Sequence, residues 1–495
     1  MSNSHSTLEQ HFDKFRKQII GTETSFVSPY GLKKILYCDW IASGRLYKPV
    51  EDAIANIFGP YVANTHTETS ATGVYMTKSY EKAREIIKQH VNANADDVLI
   101  SFGSGMTAVV NKLQRIMGLR VPEQFQHTLQ IAEEDKPIVF VSHMEHHSNH
   151  TSWLETICDV EIIEPNTSGN LDINNLLDLL AKYKNRKTKI AAISACSNVS
   201  GIITPYYQVA EVMHQHDGLV FVDFACSAPY VDIDMHPSNP LQHLDAIFFS
   251  PHKFLGGPGS SGIMLFNKKL YRNAVPDSPG GGTVKWTNAW HERSYLDDIE
   301  AREDGGTPAF LQTIRVALAI KVKEEMGVAN ITAREHEILN YVMPKLSMHP
   351  NIKVIGNSEH ERVGVISFVI EQMHYNFTVR LLNDLYGIQV RGGCFCAGTY
   401  GHYLMGITIE ESHSITDQIE IGIACAKPGW VRLSLHPTLT TQEVEYITAS
   451  IIDLADNWRQ YQDAYAYDER SNEFTYKEKM PEPDYASAFD MQAAV

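Results

Sequence analysis

Five polar side chains of this 495-residue chain stand where chemistry could be done: Ser104, His146, Asn198, Asp223 and Lys253. Each lies at or just past the end of a short apolar run that reads as a strand: Val98–Phe102, Ile138–Ser142, Ile190–Ser194, Leu219–Asp223 and Ala246–Phe249. A lysine in such company can form a Schiff base with a carbonyl cofactor, with an imidazole and a carboxylate at hand for proton transfer and charge balance. Lys253 belongs to Ser250-Pro-His-Lys-Phe-Leu-Gly-Gly-Pro-Gly-Ser-Ser-Gly262, whose four glycines exceed the needs of an ordinary turn. That density suggests backbone closely approaching something bulky. Gly257-Pro-Gly-Ser-Ser-Gly262 matches the G-x-G-x-x-G spacing of dinucleotide loops. Those loops open a helix, whereas this one runs into Ile263-Met-Leu-Phe266, another strand, so the dinucleotide reading is rejected.

Two further motifs bear on ligands. Gly103-Ser-Gly105 separates a strand from the amphipathic run Met106, Val109, Val110, Leu113, Met117. Strand, glycine loop and helix N-terminus form an anion site, because free amides and the positive end of the helix dipole face the ligand. His143-Met-Glu-His-His-Ser-Asn-His150 carries four histidines, but the H-E-x-x-H order of a zinc helix is absent and a loop is expected after the strand. No metal site is expected there. One imidazole stacked on a flat cofactor accounts for one histidine and solvent for the rest.

Positioning these groups needs a parallel sheet. Continuous β-branched and aromatic runs alternate with amphipathic helices about every 30 residues, the pattern of strands covered on both faces. The fold class is therefore α/β, with functional residues past the carboxyl ends of different strands, where open sheets bind ligands. The link from Phe249 to Ile263 is too short for a crossover helix, so that pair is antiparallel. The expected organisation is an N-terminal helical arm over 1–35, a large domain over 36–308, a small α+β domain over 309–458 and a peripheral acidic tail over 459–495. Phe310 to Gly327 reads as the helix bridging the two domains. The stretch from Gly280 to Gly305 is a long loop, of a length that suggests function.

Bulk properties narrow the partners. A net charge of −17 argues against nucleic acid and anionic membrane surfaces. No apolar run approaches the ~20 residues of a membrane-spanning helix. The polar N-terminus lacks the apolar core of a signal peptide, and seven scattered cysteines suit a reducing compartment, so a cytoplasmic location is expected.

A carboxylate at a strand end, one βα unit before a Schiff-base lysine, suits pyridoxal 5'-phosphate: it keeps the pyridine nitrogen protonated, so the ring can draw electrons from a carbanion at a substrate α-carbon. The pattern Asp223…Ser250-x-His252-Lys253, with Glu145-His146 and Ser197-Asn198-Val-x-Gly201 upstream, resembles the class V, fold-type I enzymes that use this cofactor. Within them it looks most like the cysteine desulfurase and selenocysteine lyase branch, over about residues 36 to 455. The resemblance implies a mainly parallel seven-stranded sheet, His146 stacked on the cofactor ring and Asn198 near its substrate side. It implies Asp223 at the pyridine nitrogen, Lys253 as the covalent anchor, and Ser104, Gly105, Ser250 and His252 around the phosphate. Thr307, in Gly305-Gly-Thr-Pro308, matches a threonine that reaches the partner subunit's phosphate, which implies a homodimer. Arg432 matches the arginine that grips the substrate α-carboxylate bidentately.

Val390-Arg-Gly-Gly-Cys-Phe-Cys-Ala-Gly398 supplies the last element. Cys396 matches the desulfurase cysteine that takes sulfur as a persulfide, a possible donor to a sulfur-acceptor protein; Cys394 is an extra thiol. The arrangement is also similar to molybdenum-cofactor sulfurases, but the ~40 residues after the small domain leave no room for their additional domain. Cys226 stands where the desulfurase pattern has a glutamine. The expected function is removal of sulfur or selenium from a cysteine-type amino acid. The alternatives are an aminotransferase, β-lyase or epimerase in which Cys396 is a bystander, and a catalytically inactive binding protein of the same fold.

Overall fold

The structure, a computed structural model, describes residues 7–490 except 66, 127, 357, 358, 482 and 483. A seven-stranded sheet runs in the spatial order Asp97–Phe102, Gly262–Asn267, Ala246–Phe249, Leu219–Asp223, Lys189–Ser194, Ile138–Ser142, Asp159–Ile163. Ala246–Phe249 and the four strands beyond it are mutually parallel. Gly262–Asn267 is antiparallel to both its neighbours. The mainly parallel sheet and the antiparallel return from Phe249 are as expected. Helices cover both faces, and side chains alternate along each strand between two cores: Phe140, Ile193, Val222 and Phe249 enter one, Val139, Ala192, Phe221 and Phe248 the other.

The glycine cluster serves a different purpose from the one its density suggests. A Cβ at Gly257 would lie 1.9 Å from the carbonyl oxygen of Pro251, and one at Gly262 would lie 2.4 Å from that of Gly105. The close approach is to the chain's own backbone. Gly257 and Gly262 let the segment after Lys253 fold tightly against neighbouring backbone.

Phe310–Met326 sends Val316, Ala319 and Ile320 into the large sheet's core, whereas Val328–Ser347 sends Ile338, Leu339 and Val342 into a second core. Gly327, with φ +77°, makes the turn between them. The second core lies under a four-stranded sheet in the order Ile352–Ile355, Val365–Ile370, Trp430–Ser434, Arg391–Gly393. Residues Leu36–Tyr37 pair with Ile388–Gln389, so the start of the chain joins this body. The arm helix Thr7–Arg16 buries Phe12 and Phe15 with Trp40 and Ile41.

Two other expectations change. The long loop from 280 contains a hairpin, Val284–Thr287 with Arg293–Tyr295, and a short helix, Ile299–Glu303. The segment read as a peripheral tail is folded over its first part. Tyr465–Asp468 pairs with Glu473–Tyr476, and Tyr465 and Phe474 pack on Phe377 of the small body. The aromatic residues of this segment hold it down, against the outward pull of its polar ones. Among the described residues no helix is long and apolar enough to cross a membrane.

Candidate active site

The large sheet's strand ends, the Cys394–Gly398 loop and the residues following Tyr37 enclose a cavity of about 230 Å³. Lys253 ends the short turn Pro251–Lys253 that caps strand Ala246–Phe249. Burial lowers the pKa of its amine, opposed by the nearby Cys226 and Asp223. Asp223 ends the neighbouring strand and accepts the amide of Ala225 at 2.7 Å. Burial raises its carboxyl to about 6, against the Ala225 bond and the charge of Lys253. His146 caps the helix His147–Leu154 by accepting the Ser148 amide at its Nδ1, 3.1 Å away. Burial and then Lys253 push His146 down to about 4, and the same two causes hold His252 at about 4. Both imidazoles are neutral at pH 7.

One end of the cavity suits an anion. Gly105 is the extended N-cap of the helix Met106–Ile116, and the Met106 amide donates to Ser250 Oγ at 2.9 Å. A Cβ at Gly105 would sit 3.1 Å from that oxygen and 3.8 Å from the His252 ring. His252 and Thr107 line the same end, Thr107 being hydrogen-bonded to Ser148 at 2.6 Å. Ser104, expected here, lies outside the lining, and Thr107 on the helix's first turn stands in its place. Thr307 is exposed and also outside the cavity of its own chain.

The opposite wall is cationic. Arg432, on strand Trp430–Ser434, donates to Asp39 Oδ1 at 2.7 Å and to the Asn198 carbonyl at 3.2 Å, with its guanidinium 4.5 Å above the Phe395 ring. Its Nε and Asn198 Oδ1 are buried without a partner. Arg391 lines the mouth, 3.6 Å from the other Asp39 oxygen. Asp39 and Arg391 were not singled out from the sequence. Asp39 was visible as the polar end of a short strand, but its partner lies 393 positions away.

The thiol of Cys396 enters from the loop between strand Arg391–Gly393 and helix Gly398–Met405. Phe395 and Cys396 both adopt left-handed backbone, φ +54° and +55°, a conformation unfavourable for residues with a Cβ. Hydrogen bonds hold them there. Asn198 Nδ2 donates to the Phe395 carbonyl at 2.9 Å, and the His147 amide donates to the Cys396 carbonyl at 2.6 Å. The Gly398 amide donates to His147 Nε2 at 2.9 Å, and His150 Nδ1 is 3.2 Å from Thr399 Oγ1. His147 and His150, expected in solvent on a loop, therefore fasten this segment from a helix, while His143 is buried with its Nε2 3.3 Å from the Gly169 carbonyl. Cys396 is exposed and lines the cavity; Cys394 does neither. Cys226 lies under the cavity with its sulfur 3.8 Å from that of Cys196.

A buried primary amine, a carboxylate, neutral imidazoles, an anion-binding helix end and unpartnered polar atoms make a donor set that fits a phosphorylated aromatic aldehyde such as pyridoxal 5'-phosphate. Lys253, Asp223, His146, Gly105, Ser250 and His252 would hold it.

The comparisons agree with this geometry. A probable cysteine desulfurase from Halalkalibacterium halodurans is 29% identical over 367 residues, covering 73% of this chain and 84% of that one. One from Staphylococcus aureus is 29% identical over 369 residues, covering 74% and 84%. Among solved structures, the apo cysteine desulfurase of Thermococcus onnurineus superposes with a TM-score of 0.70 at 22% identity, covering 90% of this chain and 98% of the other. The Escherichia coli cysteine desulfurase CsdA, in S-sulfonic acid form, gives 0.70 at 21% identity with the same coverage. The family model for aminotransferase class-V matches residues 36–447. Since that match takes in both bodies, all the strand ends around Lys253 and the loop that carries Cys396, this chain belongs to the aminotransferase class-V family.

Proposed function

We propose that this protein is a pyridoxal 5'-phosphate-dependent desulfurase that moves sulfur from L-cysteine, or selenium from its analogue, onto Cys396. The observation that carries the reading is the placement of an exposed thiol on the rim of a cavity whose floor is a buried lysine. When bound, the cofactor supplies an electron sink that stabilises negative charge at the substrate α-carbon and allows the bond from Cβ to sulfur to break.

The chain's own residues supply the rest. Arg432 binds the substrate carboxylate, its guanidinium already oriented by Asp39. Lys253, its pKa lowered by burial, would take the substrate α-proton as a neutral amine. Asp223 would hold a proton on the pyridine nitrogen of the bound cofactor, and neutral His146 would cover its ring. Cys396 Sγ attacks the substrate sulfur, so that Cys396–SH and L-cysteine become Cys396–S–SH and L-alanine. The rim position leaves that persulfide open to a sulfur-acceptor protein. Thr307, exposed and outside its own chain's cavity, is suited to reach the phosphate of a second copy, which makes the working form a homodimer.

The test is to incubate the purified, cofactor-loaded protein with L-cysteine and measure sulfide, alanine and the mass of the peptide containing Cys396. One added sulfur on that peptide, with stoichiometric alanine, supports the reading. Transamination products with an unmodified Cys396 overturn it.

A further inference from the structure

On the edge of the large sheet opposite Lys253, His214, His243 and Asp245 form a compact cluster with their donor atoms within 4.8 Å of one another. His214 is in the last turn of helix Tyr206–Gln215, and the other two lie in the connector to strand Ala246–Phe249. The sheet fixes Asp245: its amide donates to the Val220 carbonyl at 3.1 Å, and its Oδ2 accepts the Val220 amide at 2.9 Å.

The histidine tautomers follow from their other partners. His214 Nδ1 is 2.7 Å from the Leu241 carbonyl, and His243 Nδ1 is 2.7 Å from the Pro240 carbonyl. A carbonyl only accepts, so each Nδ1 carries the hydrogen and each neutral ring offers a lone pair at Nε2. Those lone pairs face one carboxylate, His214 Nε2 at 2.9 Å from Oδ2 and His243 Nε2 at 3.5 Å from Oδ1. Each of these contacts needs a positive centre, a proton or a metal cation, between nitrogen and oxygen. Protonating both rings would stack two imidazolium ions face to face, 3.9 Å apart and 1° from parallel, against a single negative charge. One divalent cation satisfies all three donors instead.

We infer that His214, His243 and Asp245 bind a divalent transition-metal ion of the zinc type, with water completing the coordination. Two imidazoles and a carboxylate are the donor chemistry of such ions, and carbonyls at Nδ1 are the usual outer partners that orient Nε2 toward a metal. Closing on the ion splays the stacked rings. His243 is the one that turns, being in the connector with its side chain 34% exposed, whereas His214 is 9% exposed. Val220 is near the start of the strand that ends in Asp223, so the ion lies a strand length from the cavity. It pins the connector to the helix and takes no part in sulfur transfer.

The test uses the full-length, cofactor-loaded protein with Cys394→Ser and Cys396→Ser, which removes the thiols that compete for soft cations. After chelator treatment, titration with ZnCl₂ is expected to show one equivalent bound per chain and a rise in melting temperature. Adding His243→Gln is expected to weaken binding by more than about a hundredfold, since even outer-shell changes cost 10- to 100-fold. Cobalt(II) gives a readout that needs no histidine variant: d–d bands without sulfur-to-metal charge transfer. Absence of stoichiometric zinc, binding unchanged by His243→Gln, or a cobalt spectrum lacking d–d bands overturns the inference.

Discussion

The floor of the cavity and its rim are built on opposite principles. Asp223 ends one strand and Lys253 the turn after its neighbour, both are buried, and Gly257 and Gly262 beyond Lys253 are packed too tightly to admit a side chain. Phe395 and Cys396 sit on a loop in left-handed backbone, held by hydrogen bonds from Asn198 and from the His147 amide. A covalent anchor needs fixed geometry and low polarity, which strand ends provide. A thiol that must first meet substrate sulfur and then present it outward needs a segment able to leave its place, and strain held by a few bonds provides that.

Exchanging the key residue of each region separates them most sharply. Lys253→Ala is expected to lower turnover of L-cysteine more than about a thousandfold and to abolish borohydride-reducible attachment of the cofactor. Cys396→Ser is expected to lose persulfide and turnover by at least about a hundredfold while leaving the cofactor's visible spectrum unchanged. A Cys396→Ser protein with full turnover would make the rim irrelevant to the chemistry.

Asp223 tests the floor through stability. Its folded pKa of about 6 lies above the ordinary carboxylate value, so the folded protein without cofactor binds the proton more tightly than the unfolded chain does. The associated stability is fully present below about pH 4 and lost as pH rises through about 6. Asp223→Asn therefore makes the cofactor-free protein more stable at pH 8, by up to about 3 kcal/mol, and removes this pH dependence. Denaturant melts at pH 5 and pH 8 read it directly, and equal melts for both proteins at pH 8 would contradict the buried-charge account.

Asn198→Ala tests the rim with the smallest effect. Losing the bond to the Phe395 carbonyl costs about 1 kcal/mol, expected as roughly fivefold faster alkylation of Cys396 with cofactor affinity less affected. If cofactor affinity falls while alkylation stays constant, Asn198 belongs to the floor instead.

The floor was the more legible region because a polar residue after a buried apolar run is a local pattern, and four of the five such residues, His146, Asn198, Asp223 and Lys253, meet at one cavity. The rim was legible in composition but not in shape. Nothing in the residue type Phe395 announces positive φ, and the bonds that impose it come from Asn198 and His147, more than 190 positions earlier. The same distance hid His147 and His150 as loop fasteners and Asp39 as the partner of Arg432. The glycines after Lys253 were conspicuous, yet type alone does not say whether a bare Cα faces a ligand or another peptide. The aromatic residues that pin 465–476 were outweighed by the polar ones around them, since composition averages over positions and packing does not.

Asp39 can meet Arg432 only after a further 393 residues have been synthesised. At ordinary synthesis rates that interval is on the order of tens of seconds. Leu36 and Tyr37 likewise wait for Ile388 and Gln389, their strand partners, while the strands of the large sheet, all within residues 97–267, are already complete. On the proposed reading, a product terminated before Arg432 would keep Lys253 yet lack the guanidinium that binds the substrate carboxylate.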